Sequence, residues 1–164
     1  MAAGFALRRL GALDLDLAAT LHGLAFAPLG ERVWTRQDMA ELLASPGAAG
    51  WVAQSAERAI GFALCRVAAD EAELLTIAVH PDERRHGAGR ALLMAVVDHA
   101  RAAGARSLFL EVGADNPAAL ALYGKAGLKA VGHRKAYYRR GEGPPADAVV
   151  MRLTLTFGGL TSGG

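Results

Sequence analysis

The run from Glu73 to Val112 constrains this chain more than any other. It reads as a strand (Glu73 to Val79), a charged loop, Gly87-Ala88-Gly89, an amphipathic helix (Gly89 to Ala103) and a second strand (Ser107 to Val112). The helix carries Leu92, Leu93, Val96, Val97 and Ala100 on one stripe, and Gly104 closes it. A strand, a helix and a strand in this order give two parallel strands joined by a right-handed crossover. The sheet therefore has at least one parallel pair, with a helix on its face.

The remaining segments build antiparallel structure around that pair. Phe5 to Arg9 reads as a first strand, and Leu13 to Phe26 as a helix with an apolar stripe at Leu13, Leu17, Leu21 and Leu24. Ala27 to Val33, with Pro28 and Gly30, reads as a loop. Thr35 fits the N-cap of a second helix through Leu43, with Asp38 in the capping-box place, and Ser45-Pro46-Gly47 end it. Trp51 to Gln54, Ile60 to Val67 and Glu73 to Val79 are strands on short spacers, Glu57-Arg58 and Ala69-Asp70-Glu71, hence hairpins. Asn116-Pro117 opens a helix that ends at Gly127. Two last strands, Ala130 to Tyr138 and Asp147 to Thr156, flank a Gly- and Pro-rich loop, Arg139 to Ala146. The order β-α-α-β-β-β-α-β-α-β-β predicts the α/β (α+β) class. It is a mixed, mostly antiparallel sheet of about seven strands with a central parallel pair, flanked by about four helices. Residues 1–156 are expected to form one domain and residues 157–164 a flexible tail.

Composition narrows the function classes. With 52% hydrophobic and 21% charged residues in 164, the chain can bury a sizeable core. A net charge of +2 is too small to argue for nucleic acid. The single cysteine, Cys65, permits no internal disulfide and reads as a buried strand residue. His22, His80, His86, His99 and His133 are scattered without metal-ligand spacing, so no metal is expected. The N-terminus lacks the apolar region and cleavage site of a signal peptide. No apolar run approaches the ~20 residues of a membrane span, so a cytoplasmic location without a membrane is expected.

The loop before the central helix is an anion site. Small residues let the backbone approach a ligand, and a helix start presents unpaired N–H groups with the positive end of its dipole behind them. Arg84, Arg85 and Arg90 add positive charge. A Walker A loop is absent, and the dinucleotide fingerprint would need glycine where Leu92 stands, so ATP and NAD fit poorly.

The pattern Arg84-x-x-Gly87-x-Gly89 resembles the R/Q-x-x-G-x-G/A signature of GNAT acetyltransferases. The resemblance continues through Leu110-Glu111-Val112, Asn116, Ala119, Leu122-Tyr123 and Gly127-Leu128. Within that superfamily, DEAELLTIAVHP and KAYYRRGEGPPADAVVM look most like RimI-type enzymes, over about Trp34 to Leu153. The resemblance implies the GNAT fold and acetyl-CoA as co-substrate. It implies transfer to a protein N-terminal α-amine, that of the alanine of a small-subunit ribosomal protein. A small-molecule amine, a lysine, or coenzyme binding without catalysis are the alternatives. A monomer or weak homodimer is expected.

Roles follow from the same resemblance. Ile77, Ala78 and Val79 would offer backbone groups to the pantetheine arm. Arg85, His86, Gly87, Ala88, Gly89 and Arg90 would hold the pyrophosphate, and Asn116, also a natural N-cap, would contact the arm. Glu111 is the implied base, through water, and Tyr123 the acid for the thiolate. Trp34, Tyr137 and Tyr138 would line the peptide cleft. An α-amine with a pKa of about 7.7–8.0 is easier to deprotonate than a lysine near 10.4, by a factor on the order of a few hundred at neutral pH. The chain departs from the RimI pattern at His80, where Asp is common, and at Arg32-Val33-Trp34-Thr35 in place of Pro-Trp-Ser/Thr. It also departs at Gly113, often Arg, and at Arg139-Arg140, where Pro is frequent.

Overall fold

The computed structural model describes residues 4–56 and 58–155. Glu57, Thr156 and the expected tail at 157–164 lie outside the described residues. Seven strands form one sheet: β1 (Phe5–Arg9), β2 (Ala48–Ser55), β3 (Ala59–Ala68), β4 (Glu71–Val79), β5 (Ser107–Gly113), β6 (Lys129–Arg140) and β7 (Gly143–Thr154). Four α-helices accompany it: α1 (Leu15–Phe26), α2 (Arg36–Ala44), α3 (Ala88–Ala102) and α4 (Pro117–Lys125). The strand order is β1-β2-β3-β4-β5-β7-β6, with β4–β5 parallel and every other pair antiparallel. The expected mixed sheet with a central parallel pair is therefore what the chain forms.

Alternation along the strands divides the core in two. Val52, Phe62, Leu64 and Ala78 face α1 and α2, where Leu15, Ala18, Leu21 and Met39 meet them. Trp51, Ala53, Ala63 and Cys65 face the other way, onto Leu92, Leu93, Val96 and Val97 of α3. β4 breaks strict alternation. Leu74 belongs with the α3 layer and Ala78 with the α1 layer, although both are even-numbered. The pairing explains this: Cys65 sits opposite Leu74 but Leu64 opposite Thr76, so Leu75 is a bulged residue. A bulge bends a strand and increases its local twist.

Local chemistry sets the helix ends. Thr35 Oγ1 accepts from the Asp38 N–H at 3.1 Å, and the Asp38 carboxylate accepts from the Thr35 N–H at 2.8 Å, a closed capping box. Asn116 Oδ1 caps α4 by accepting from the Ala119 N–H at 3.2 Å.

Two expectations are corrected. The α1 stripe at Leu13, Leu17, Leu21 and Leu24 has the wrong phase. Ala12–Asp14 is a 3-10 turn that leaves Leu13 fully exposed, Leu24 is exposed, and α1 buries Leu15, Ala18, Leu21, His22 and Ala25 instead. The Arg139–Ala146 stretch is no long loop: β6 runs to Arg140, β7 begins at Gly143, and Gly141-Glu142 make the turn. The prolines are tolerated because pairing of β7 with β5 starts only at Ala148, leaving Pro144 and Pro145 on the projecting tip of the hairpin. Ala12–Leu29 is also, by length and composition alone, a stretch of 18 residues that could cross a membrane. In this fold its inner face packs on the sheet.

His22 is buried in α1, stacked on Trp34 at 4.8 Å between ring centroids and tilted against Phe26 at 4.4 Å. Its Nδ1 accepts from the Trp34 N–H at 3.2 Å. Burial, reinforced by the Arg32 cation, pushes its pKa down to about 4 from 6.5. The unfolded chain then binds the proton more readily than the folded one, so stability is full above the unfolded value and falls as pH drops through it. Urea denaturation is expected to show a loss of about 2 kcal/mol between about pH 7 and 5 from this group. His99, also lowered by burial, acts in the same direction. The His22 part is therefore read as the difference from His22→Gln, whose pH profile should be flatter over that range.

Candidate active site

The site is built where β4 and β5 part. Their parallel pairing stops after Glu71↔Ser107, Ala72↔Leu108 and Glu73↔Phe109, although β4 runs on to Val79 and β5 to Gly113. The last paired residue of β4, Glu73, stands two positions before the bulge at Leu75. Beyond it, Ile77, Ala78 and Val79 pair with Ala63, Phe62 and Gly61 of β3 on one edge, and their β5-side edge faces a widening gap. Backbone groups on such an edge can take an extended ligand as an added strand.

At the end of β4, Pro81–Glu83 make a 3-10 turn whose start is capped by His80 Nδ1, accepting from the Asp82 N–H at 3.1 Å. Arg58 holds that turn through Glu83 at 2.7 Å and keeps the Glu83 carboxyl below its usual range. Arg85 (φ 69°) and Gly87 (φ 87°) are both left-handed, with α3 starting directly after. Alternating backbone hands of this kind form concave nests of N–H groups, and the first N–H groups of α3 have no partner within the helix. Arg84, Arg85, His86 and Arg90 are exposed around it. A Cβ at Gly87 would meet open space, so the concavity is empty of protein where a ligand would lie. A Cβ at Gly89 would stand 3.5 Å from Leu122 and 3.7 Å from Val79, which marks a narrow slot between β4, α3 and α4. The residues present fit a diphosphate with an extended arm.

Across the gap, Glu111 lies on β5 two positions past the last parallel pair, half-buried, with its Oε1 3.3 Å from Arg134 Nη2. Tyr123 is buried in α4. Burial raises its phenol above the ordinary value, and neighbouring Tyr138 adds to this. Tyr138 is itself raised, first by burial and then by Glu31 and Glu111. Tyr138 is thus within electrostatic reach of both Glu111 and Tyr123. Tyr137 packs edge-on to Tyr138 at 5.2 Å and carries the Arg134 guanidinium over its exposed ring at 5.1 Å. Trp34 is held by His22 on the α1–α2 side and lines a separate surface hollow with Arg32, Asp38, Glu41 and Leu42.

Three features escaped the sequence reading. The bulge at Leu75 carries no compositional mark. The Arg134 ion pair to Glu111 depends on register across β7. Arg140 binds Glu31 and Asp115, residues far from it in sequence. The only hints were the departures at Gly113 and Arg140 themselves.

The chain is similar to known acetyltransferases in sequence and in fold. The sequence profile of the acetyltransferase (GNAT) family matches residues 19–128. A stretch of 95 residues is 43% identical to the [ribosomal protein bS18]-alanine N-acetyltransferase of Escherichia coli K12, spanning 58% of this chain and 64% of that relative's length. The N-alpha-acetyltransferase RimI of Mycobacterium tuberculosis is 37% identical over 143 residues, 85% of each chain. The crystal structure of the Escherichia coli ribosomal-protein-S18-alanine N-acetyltransferase superposes with a TM-score of 0.85 and 31% identity, over 96% of this chain and 97% of the other.

Valine at Gly89, where the helical backbone accepts it, is expected to close the slot beside Val79 and Leu122. Titration calorimetry of Gly89→Val should show acetyl-CoA affinity reduced at least about tenfold, some 1.4 kcal/mol, with the melting temperature little changed. Normal binding by this variant would place the coenzyme elsewhere. Gly87→Val should lose binding too, with added strain from the left-handed backbone.

Proposed function

The chain belongs to the GNAT acetyltransferase family, and on that premise we propose that it moves an acetyl group from acetyl-CoA to a protein N-terminal α-amine. The acceptor we propose is the N-terminal alanine of a small-subunit ribosomal protein. The reading is carried by one observation: β4 leaves β5 beside an N–H-rich turn, so an open strand edge and an anion seat face one gap. The relatives' names support the acceptor.

Acetyl-CoA supplies an activated acetyl thioester. The chain must seat it, free the acceptor amine of its proton and manage negative charge on the departing sulfur. The nest at Arg85 to Arg90 and the free edge of Ile77, Ala78 and Val79 do the seating, with Asn116 alongside at the start of α4. Glu111 is an acceptor-only carboxylate at the gap and takes the ammonium proton through water. At neutral pH about a tenth of an α-amine is already unprotonated, so the base has little left to do. Arg134 holds the Glu111 carboxylate in place, and an incoming ammonium competes for the same oxygen. The Tyr123 phenol, raised by burial, stays protonated and donates a hydrogen bond to the sulfur as charge builds there. Tyr137 and Tyr138 on the hairpin bound the acceptor side, together with the α1–α2 loop, which meets the hairpin through Glu31 and Arg140.

Tyr123→Phe removes one hydroxyl from a buried ring and keeps its packing. Turnover on an N-terminal Ala peptide should fall about a hundredfold or more, while the acetyl-CoA dissociation constant moves less than about threefold. A panel of N-terminal peptides, lysine peptides, polyamines and aminoglycosides with labelled acetyl-CoA identifies the acceptor. Acetylation of a small amine and of no peptide would overturn the acceptor. Tight coenzyme binding without turnover on any acceptor would overturn catalysis.

A further inference from the structure

Arg140, near the tip of the β6–β7 hairpin, is bound more heavily than a surface arginine has reason to be. Its Nη1 donates to Glu31 Oε1 at 2.7 Å, its Nε to Asp115 Oδ2 at 2.8 Å and its Nη2 to Asp115 Oδ1 at 2.9 Å. Its guanidinium lies 5.0 Å from the centre of the Tyr138 ring, and the side chain is only 9% exposed. These partners belong to three separate pieces of chain. Glu31 is on the α1–α2 loop, Asp115 is on the β5–α4 turn beside Asn116, and Tyr138 is on the hairpin.

Both loops are glycine where they meet this arginine. A Cβ on Gly113 would collide with Arg140 Nη2 and come within 2.6 Å of Asp115 Oδ1. A Cβ on Gly30 would lie 2.9 Å from the Arg140 carbonyl carbon. An empty position at 113 and an arginine at 140 are therefore reciprocal: the guanidinium fills the room that a side chain on β5 would take. The two carboxylates gathered around it would repel each other without a cation between them. Only a planar fork reaches both at once with a bidentate hold on one; an ammonium acts as a point charge.

We propose that Arg140 is a positioning residue for acceptor binding, a latch that ties the hairpin and the α1–α2 loop, the two walls of the acceptor cleft, to the β5–α4 turn. Through the ring of Tyr138 it also fixes the aromatic group that stands near Glu111 and Tyr123. The cleft walls stay at one separation while the latch is closed, which favours a narrow extended chain end over a bulky acceptor. The inference rests on the acceptor reading above, and its test separates the two.

The experiment compares wild type with Arg140→Ala, Arg140→Lys and Gly113→Ala, the last displacing the fork without removing its charge. The first readout is steady-state kinetics on an N-terminal Ala peptide. KM for the peptide should rise at least about tenfold in Arg140→Ala, and kcat and the acetyl-CoA dissociation constant should move less than about threefold. Arg140→Lys should recover little of the loss, and Gly113→Ala should show a smaller rise of the same kind. The second readout needs no activity: amide hydrogen exchange of the free protein. Residues 29–32, 113–116 and 138–143 should lose protection together in Arg140→Ala. An unchanged peptide KM, full rescue by lysine, or deprotection confined to 138–143 would overturn the latch. So would a rise in KM matched by comparable losses of kcat and coenzyme affinity that track the melting temperature. If wild type acetylates no peptide, the acceptor reading fails, and the exchange pattern alone then upholds or overturns the latch.

Discussion

A single extra residue in β4 governs the rest of the molecule. With Leu75 bulged, the strand turns its later side chains to the opposite layers and bends away from β5 after three paired positions. The hydrogen-bonding groups of Ile77 to Val79 on that side would otherwise be consumed by the neighbouring strand. A sheet whose two central strands stayed parallel to their ends would offer no gap, no free edge and no line of approach to the α3 N-terminus. The cost of leaving those backbone groups unpaired is tolerable because the gap is open to water, and an extended ligand lying there would recover it.

The gap has two sides built on different principles. On one side the contacts are made by backbone: a strand edge, a nest with left-handed Arg85 and Gly87, and the dipole of α3. The arginines near it are exposed and add a diffuse field. On the other side the contacts are made by side chains held by long-range partners. Glu111 meets Arg134 from the hairpin, Tyr138 sits under Arg140, and Arg140 reaches Glu31 and Asp115. His22 plays the corresponding role for Trp34, fixing the loop backbone through a hydrogen bond to a neutral ring nitrogen.

This difference decides what could be read from the sequence. The strand–loop–helix–strand run, the capping box at Thr35 and Asp38, the cap at Asn116 and the glycine turn before α3 are all local signals, and each is found where the residues point. The α1 stripe failed because Leu13 and Leu24 have helical spacing but a 3-10 turn precedes the helix and shifts the buried face to Leu15, Ala18 and Ala25. The two strands of the last hairpin are legible, but its tip, Arg139 to Ala146, reads as a long loop because Gly and Pro mark turns in general. Here the prolines sit on a tip where no ladder bond is asked of them. The bulge at Leu75 and the partners of Arg140 lie beyond any local reading, since both depend on which strand stands opposite.

The departures from the RimI pattern gain meaning from the same division. Most of them lie at residues 32–35, at Gly113 and at Arg139-Arg140, on the side-chain-built wall; the exception is His80, which caps the turn at the end of β4 and leaves the glycine frame of the backbone-built wall unchanged. A backbone seat tolerates few changes, because any Cβ in it takes ligand space. A wall made of charged pairs can be rewired when two positions change in concert, one giving up volume as another supplies it. Gly113 and Arg140 have that relation in this fold. Neither makes sense alone, since an arginine on the hairpin needs the vacancy on β5, and the vacancy without the arginine leaves Glu31 and Asp115 facing each other unneutralised.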